Sequence, residues 1–387
     1  MTTVVIVPRW GDDSEEERMV RPLVDFLCTH DDVDLVALEG AGGAGPRGSA
    51  ALVEISRRSE AGAARAIARR AIAVAAVAAG RPREWLPEPA RTALIGHVET
   101  CWDRAIAHVA TRSPSTVVVC GGGSGSALRV FHALGGDVCR VVLPLTPHHR
   151  PSLGADDVSV CRDADVRLAV DRAERTWLEA VTGAEWTAVG TVVEHPPTDH
   201  ADLPRLLTQC DYVAVVDRMS PGSGWSDATD GIDGDRVPSR TAGWLAAAIG
   251  SQVVALELGD LVQWSHGNPV RTPVTERQRW AVLLGARAVV AADPGSVLGW
   301  GVLAALSCGR PVVTLSDSAG ASYIVESGGG LVASDLVEVI EGVRGLLEDP
   351  ARAEELGRVG ASWATVQAGS AQLFAERLVA AGLSKER

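Results

Sequence analysis

The chain reads as a doubly wound α/β protein of two domains. Short runs of β-branched and other apolar residues recur without the polar alternation of a half-exposed strand, the pattern of parallel strands covered on both faces. Between them lie longer alanine-rich stretches with helical spacing, and such alternation builds helices around a parallel sheet. With 387 residues, 46% of them hydrophobic and 22% charged, the chain can bury two separate cores.

In chain order, the strand-like runs are Val4–Val7, Val33–Leu38, Thr116–Cys120, Val141–Leu143, Val253–Leu256 and Ala288–Ala291. Ala61–Ala79, with Arg65, Arg69 and Arg70 among alanines, reads as a core helix with a solvated arginine face. Glu194-His195-Pro196-Pro197 breaks the pattern, because two prolines end any strand there and a polar stretch follows. The expected organisation is a first domain over 1–195, a second over 196–366, and a C-terminal helix and tail over 367–387. Gln367–Ala381 has helical spacing at Leu373, Phe374, Leu378 and Val379.

Composition excludes several partners. A net charge of −13 disfavours nucleic acid and adsorption to anionic lipid, both polyanions. No apolar run approaches the ~20 residues of a membrane span, and Met1–Pro8 opens into a strand rather than a charged signal segment, so a cytoplasmic location is expected. The seven cysteines (28, 101, 120, 139, 161, 210 and 308) have no metal-ligand spacing and suit small buried hydrophobes. No metal and no bound cofactor are expected. Lys385 is the sole lysine, which removes a lysine-bearing phosphate loop, a Schiff base and a lysine general base from the folded part.

The most informative stretch is Ala288–Val313, with Gly299, Ala305, Leu306, Cys308, Gly309, Pro311 and Val312 in a strand–loop–helix–turn–strand setting. It resembles the donor-binding segment of retaining GT-B glycosyltransferases of the sucrose and glycogen synthase group. The likeness continues in Val325–Val332, in Leu346–Pro350 with Glu355-Leu356-Gly357, in Asp165–Asp171 with Trp177-Leu178, and in Tyr212–Trp225. It implies two Rossmann-like domains facing across a cleft, with the C-terminal helix crossing back to the first. It further implies transfer of a sugar from a nucleotide-sugar donor, a co-substrate and not a cofactor, to a small-molecule or glycan acceptor, with retention and without a metal.

By that resemblance the donor site comprises Arg218, Ser223, Gly224, Ser296, Gly299, Trp300, Gly301 and Ala304. Arg218 and Gly224 match the family. Ser223 stands at the family's lysine, Ser296 and Ala304 at its two glutamates, and Tyr323 at a further glutamate. A charged hydrogen bond contributes about 1.5–3 kcal/mol, so losing the lysine and the glutamate pair removes roughly 5–9 kcal/mol. Millimolar to micromolar binding amounts to only about 4–8 kcal/mol. A donor must therefore be held by other groups, or the chain has stopped using one.

Replacement cations are at hand. Ser226–Arg240 and Gln263–Arg271 read as loops at the ends of second-domain strands, where open α/β sheets bind ligands. Arg236, Arg240, His266 and Arg271 are candidates for phosphate, with Glu257 or Asp260 for hydroxyls. On the acceptor side, Trp10 and Gly11 follow the first strand, and Gly121, Gly122 and Gly123 form a glycine turn suited to an anion nest or to close approach of a ligand. The turn lacks the third glycine of a dinucleotide fingerprint. His148 and His149, after the next strand, are the candidate catalytic residues for orienting an acceptor hydroxyl. The alternatives are a catalytically silent partner or scaffold of an active transferase, and another activity of this fold, such as sugar-nucleotide epimerisation or a non-glycosidic coupling.

Overall fold

The computed structural model describes residues 2–10, 15–29, 32–40, 51–54, 103–121, 130–134, 137–145, 155–190, 192–193, 196, 211–216, 237–249, 252–257, 260–265, 268–291, 299–318, 320–368 and 371–383. The helix expected at Ala61–Ala79 lies outside them.

The first sheet contains β1 (Thr2–Trp10), β2 (Asp32–Gly40), β3 (Ala51–Glu54), β4 (Thr116–Cys120), β5 (Cys139–Leu143), β6 (Val166–Ala169) and β7 (Thr187–Ala188), in the order β3-β2-β1-β4-β5-β6-β7. Every pairing in it is parallel. The strand runs Val4–Val7, Val33–Leu38, Thr116–Cys120 and Val141–Leu143 read from the sequence are therefore parallel strands. Side chains alternate between two covered faces, as a period of two requires. Val5, Val7, Leu35 and Val118 pack with Leu23 and Val24 of α1 (Glu15–Cys28), while Val4, Ile6, Val36 and Val117 pack beneath Ala105 and Val109 of α2 (103–112). α3 (Ala155–Asp163) and α4 (Arg172–Thr182) add Val160, Cys161 and Leu178 to the second of these faces.

One carboxylate interrupts that face. Asp34 on β2 is 2% exposed, and Arg112 of α2 grips it through Nε and Nη2, the latter at 2.8 Å, while His108 Nε2 lies 3.0 Å away. Burial pushes this carboxyl up, but hydrogen bonds and charge from Arg112 and His108 more than offset it and leave it below its ordinary value. A depressed folded-state value means the stabilisation is present above the unfolded value near 4 and is lost as pH falls through the folded one. In an acid titration followed by circular dichroism, the wild type should therefore lose stability more steeply than Asp34→Asn below about pH 4. Parallel curves would remove the linkage.

The second sheet contains β8 (Tyr212–Val216), β9 (Gln252–Glu257), β10 (Asp260–Ser265), β11 (Asn268–Pro273), β12 (Ala288–Ala291), β13 (Val312–Leu315) and β14 (Gly330–Ala333), in the order β11-β10-β9-β8-β12-β13-β14. β10 and β11 are antiparallel and the rest parallel. This corrects the reading of Gln263–Arg271 as a loop. Its ends are strands of an edge hairpin, where Pro269 and Pro273 cost no central ladder bond.

Around this sheet lie α5 (Val237–Ile249), α6 (Glu276–Gly285), α7 (Trp300–Ser307), α8 (Ala321–Ser327), α9 (Leu336–Glu348) and α10 (Pro350–Trp363). Tyr212, Ala214 and Val216 face α6, α7 and α8, and Val213 and Val215 face α5 and α9. A π-turn at Ala364–Ala368 leads towards α11 (Ala371–Ala380). α11 crosses back: Phe374 and Leu378, with Leu383 beyond the helix, lie in the first domain's core, and Arg377 Nη1 donates to Val189 O at 3.3 Å. Val379, expected on the same face, is 49% exposed. No helix among the described residues is long and apolar enough to cross a membrane.

Candidate functional site

Both sheets reverse their strand order once, between β1 and β4 in the first and between β8 and β12 in the second. In open α/β sheets the crevice at such a reversal, beyond the carboxyl ends of the strands, is where ligands bind. The stretches carrying most sequence candidates leave from these strand ends. Val216 ends β8 two positions before Arg218, Ala291 ends β12 ahead of Ser296, and β1 ends at Trp10 and β4 at Cys120. Arg218, Ser223, Gly224, His266, Ser296, His148, His149, Gly11, Gly122 and Gly123 themselves lie outside the described residues, as do Arg236 and the side chains of Trp10 and Arg240; Arg240, expected in a loop, stands in the first turn of α5.

What is described at the second reversal is the start of α7. Gly299 sits at φ 60°, ψ 33°, the left-handed region that favours glycine, and as a glycine it brings no capping side chain of its own to the helix it begins. Its carbonyl takes the N–H groups of Val302 and Leu303, at 2.9 and 3.1 Å. The helix is apolar all round, which suits burial on every side. Trp300, Gly301 and Ala304 are all buried, Ala304 to 0% exposure, within the core that holds Trp280, Leu283 and Ile324. Of these donor candidates, what α7 can offer a ligand is the positive end of its helix dipole.

The other end of α7 explains the Cys308-Gly309-Arg310-Pro311 signature. Gly309, at φ 68°, donates to Leu306 O, and Arg310 N–H donates to Ala305 O, a Schellman closure that turns the chain into β13. Burial pushes the Cys308 thiol up to about 12, against the opposing charge of Arg310, and pushes that of Cys120 up as well. Both are protonated core residues, as expected for these cysteines. Cys161 is buried too, and Cys28 and Cys139 partly so.

Between β13 and α8, Thr314 Oγ1 donates to Ala291 O at 2.6 Å and meets Ser318 Oγ at 2.5 Å. This ties the cleft-side ends of β12 and β13 together. Tyr323, at the position of a family glutamate, is buried with its ring 5.9 Å from that of Trp363. Tyr323 is part of the apolar core.

In the first domain, Gly121 takes φ 63° directly after β4 and donates to Leu143 O at 2.8 Å, which holds the start of the glycine turn beside β5. The sequence reading missed Asp171, Glu174 and Ser322. Asp171 caps α4 by accepting from Glu174 N at 2.7 Å, and Glu174 Oε2 accepts from Val170 N at 2.6 Å. Ser322 Oγ of α8 reaches Asp171 Oδ2 at 3.2 Å from the other domain. The readable signal was the acid pair at i and i+3 at the start of an amphipathic helix, which marks a capped start but not a contact across domains.

No family model matches the chain, and no curated protein matches it. Solved structures do. WaaG, a glycosyltransferase involved in lipopolysaccharide biosynthesis, is similar at a TM-score of 0.60 and 10% identity over 100% of both chains. Sucrose-phosphate synthase from Thermosynechococcus elongatus is similar at 0.61 and 14%, over 98% of this chain and 97% of that one. The fold is GT-B. HepE from Anabaena, in complex with UDP and glucose, is similar at 0.57 and 12% over 98% of each chain. At these identities the likeness to GT-B proteins is one of fold, and a fold hosts chemistry without fixing it.

Proposed function

We propose that this GT-B protein is a glycosyltransferase that moves a sugar from a nucleotide-sugar donor to a small-molecule or glycan acceptor in the cytoplasm, with retention and without a metal. The observation that carries the reading is the α7 unit at the second domain's strand reversal, a helix that starts on a left-handed glycine. Amides at such a helix start favour a diphosphate through both hydrogen bonding and the helix dipole. Arg218, two positions beyond β8, supplies the guanidinium that a departing diphosphate requires. With Ser296 and Ala304 in place of carboxylates, donor affinity in this reading rests on those phosphate contacts.

On the acceptor side, Trp10, Gly11 and the turn Gly121–Gly123 border the acceptor, and His148 or His149 orients its hydroxyl. A thermal-shift panel with UDP, GDP, ADP and dTDP and their sugar conjugates tests the proposal. At least one nucleotide should raise the melting temperature, and Arg218→Ala should abolish that rise. An unchanged rise in the variant removes the guanidinium contact. A flat panel makes the silent partner or scaffold the better reading, with a protein in place of the donor as its ligand.

A further inference from the structure

The two domains are joined by chain crossings and by a side-chain contact. One crossing is at 192–193, where Val192 packs on the first domain's core and Val193 lies within the second's. The other is the return of α11. Two chain connections make a hinge, and small polar contacts between domains leave relative motion as the default.

The contact between Asp171 and Ser322 joins two parts that are each held rigidly. Asp171 is 7% exposed, its Oδ1 is committed to the α4 cap, and the preceding amide is held by Glu174. Its Oδ2 is thus a fixed acceptor. On the other side, the start of α8 is packed closely on α7, near enough that a Cβ at Gly320 would lie 2.2 Å from Val302 Cγ2. The residues just ahead of α8 are pinned as well, by the bonds of Ser318 to Thr314 and to Leu315 O. A hydroxyl carried by the second domain therefore meets a carboxylate carried by the first, with little give in either.

We infer that Asp171 and Ser322 form a latch that sets the angle between the domains, and that losing it lets the cleft open. This goes beyond the proposed reaction and is testable on the full-length protein without any nucleotide. In Ser322→Asp, a second carboxylate facing Asp171 should raise the radius of gyration measured by small-angle X-ray scattering. In Ser322→Ala, amide exchange at Val170, Glu174 and Ile324 should speed by about tenfold, the scale of one lost hydrogen bond to a charged acceptor. Ser322→Thr, which keeps the hydroxyl, should behave as wild type. Unchanged scattering and exchange in folded Ser322→Asp and Ser322→Ala would overturn the latch. If Ser322→Asp does not fold, equal exchange in the alanine and threonine variants overturns it, and a difference between them supports it.

Discussion

Gly357→Ala is expected to lower the melting temperature of the second domain by about 6–12 °C. α10 lies directly over the Schellman turn that ends α7, and a Cβ at position 357 would stand 2.1 Å from Gly309 O and 2.9 Å from its carbonyl carbon. Neither side can yield cheaply. Gly309 is fixed by its left-handed conformation and its bond to Leu306 O, and Gly357 belongs to a regular helix. Overpacking usually costs about 1–3 kcal/mol, and a clash between two backbones belongs at the upper end. At about 2–4 °C per kcal/mol for a domain of this size, that gives the stated drop. Gly345→Ala is the control. This glycine lies inside α9, and a Cβ there would meet nothing within 4 Å, so removing its unfolded-state freedom should stabilise by about 0.5–1 kcal/mol. Calorimetry on the two variants should move in opposite directions, and two small shifts of one sign would refute the close approach.

The same glycines show what the sequence made legible. The Cys308-Gly309-Arg310-Pro311 signature was readable as a family resemblance, while its cause, a left-handed closure pressed by α10, needs coordinates. Strands such as Thr116–Cys120 and Ala288–Ala291 stood out because burial on both faces leaves an unbroken apolar run. The β10–β11 hairpin did not, because an edge strand tolerates the prolines and polar residues that also mark loops. In the C-terminal helix the spacing was right but the face was narrower than expected, with Phe374 and Leu378 buried and Val379 outward. The Asp171–Ser322 contact joins residues 151 positions apart, and local pattern carries no trace of such a pair. For the site, the topology sets the ends of β8 and β12 side by side at the second sheet's reversal. Position 304, by contrast, reads as a lost ligand in sequence and as a core residue in space.

That difference sets up the second large effect. Placing there the glutamate that the resemblance implies, Ala304→Glu, should destabilise the second domain by about 3–5 kcal/mol, the scale of an uncompensated charge placed in a core. Ala304 is 0% exposed on a helix whose neighbouring side chains, Trp300, Leu303 and Leu306 among them, are all buried apolar groups. A glutamate there must either ionise without a partner or take up a proton. Ser296→Glu, by comparison, adds a carboxylate at the other position where the resemblance puts a glutamate, in the stretch between β12 and α7, and is the paired variant. Thermal melts of both variants with and without UDP separate the possibilities. A large loss in Ala304→Glu that UDP does not relieve means that the core has closed over the old ligand position, and that any donor must be held by backbone amides and arginine. A well-folded Ala304→Glu with a new UDP response would mean the opposite: the carboxylate still reaches the cleft, and its absence alone weakened the donor site.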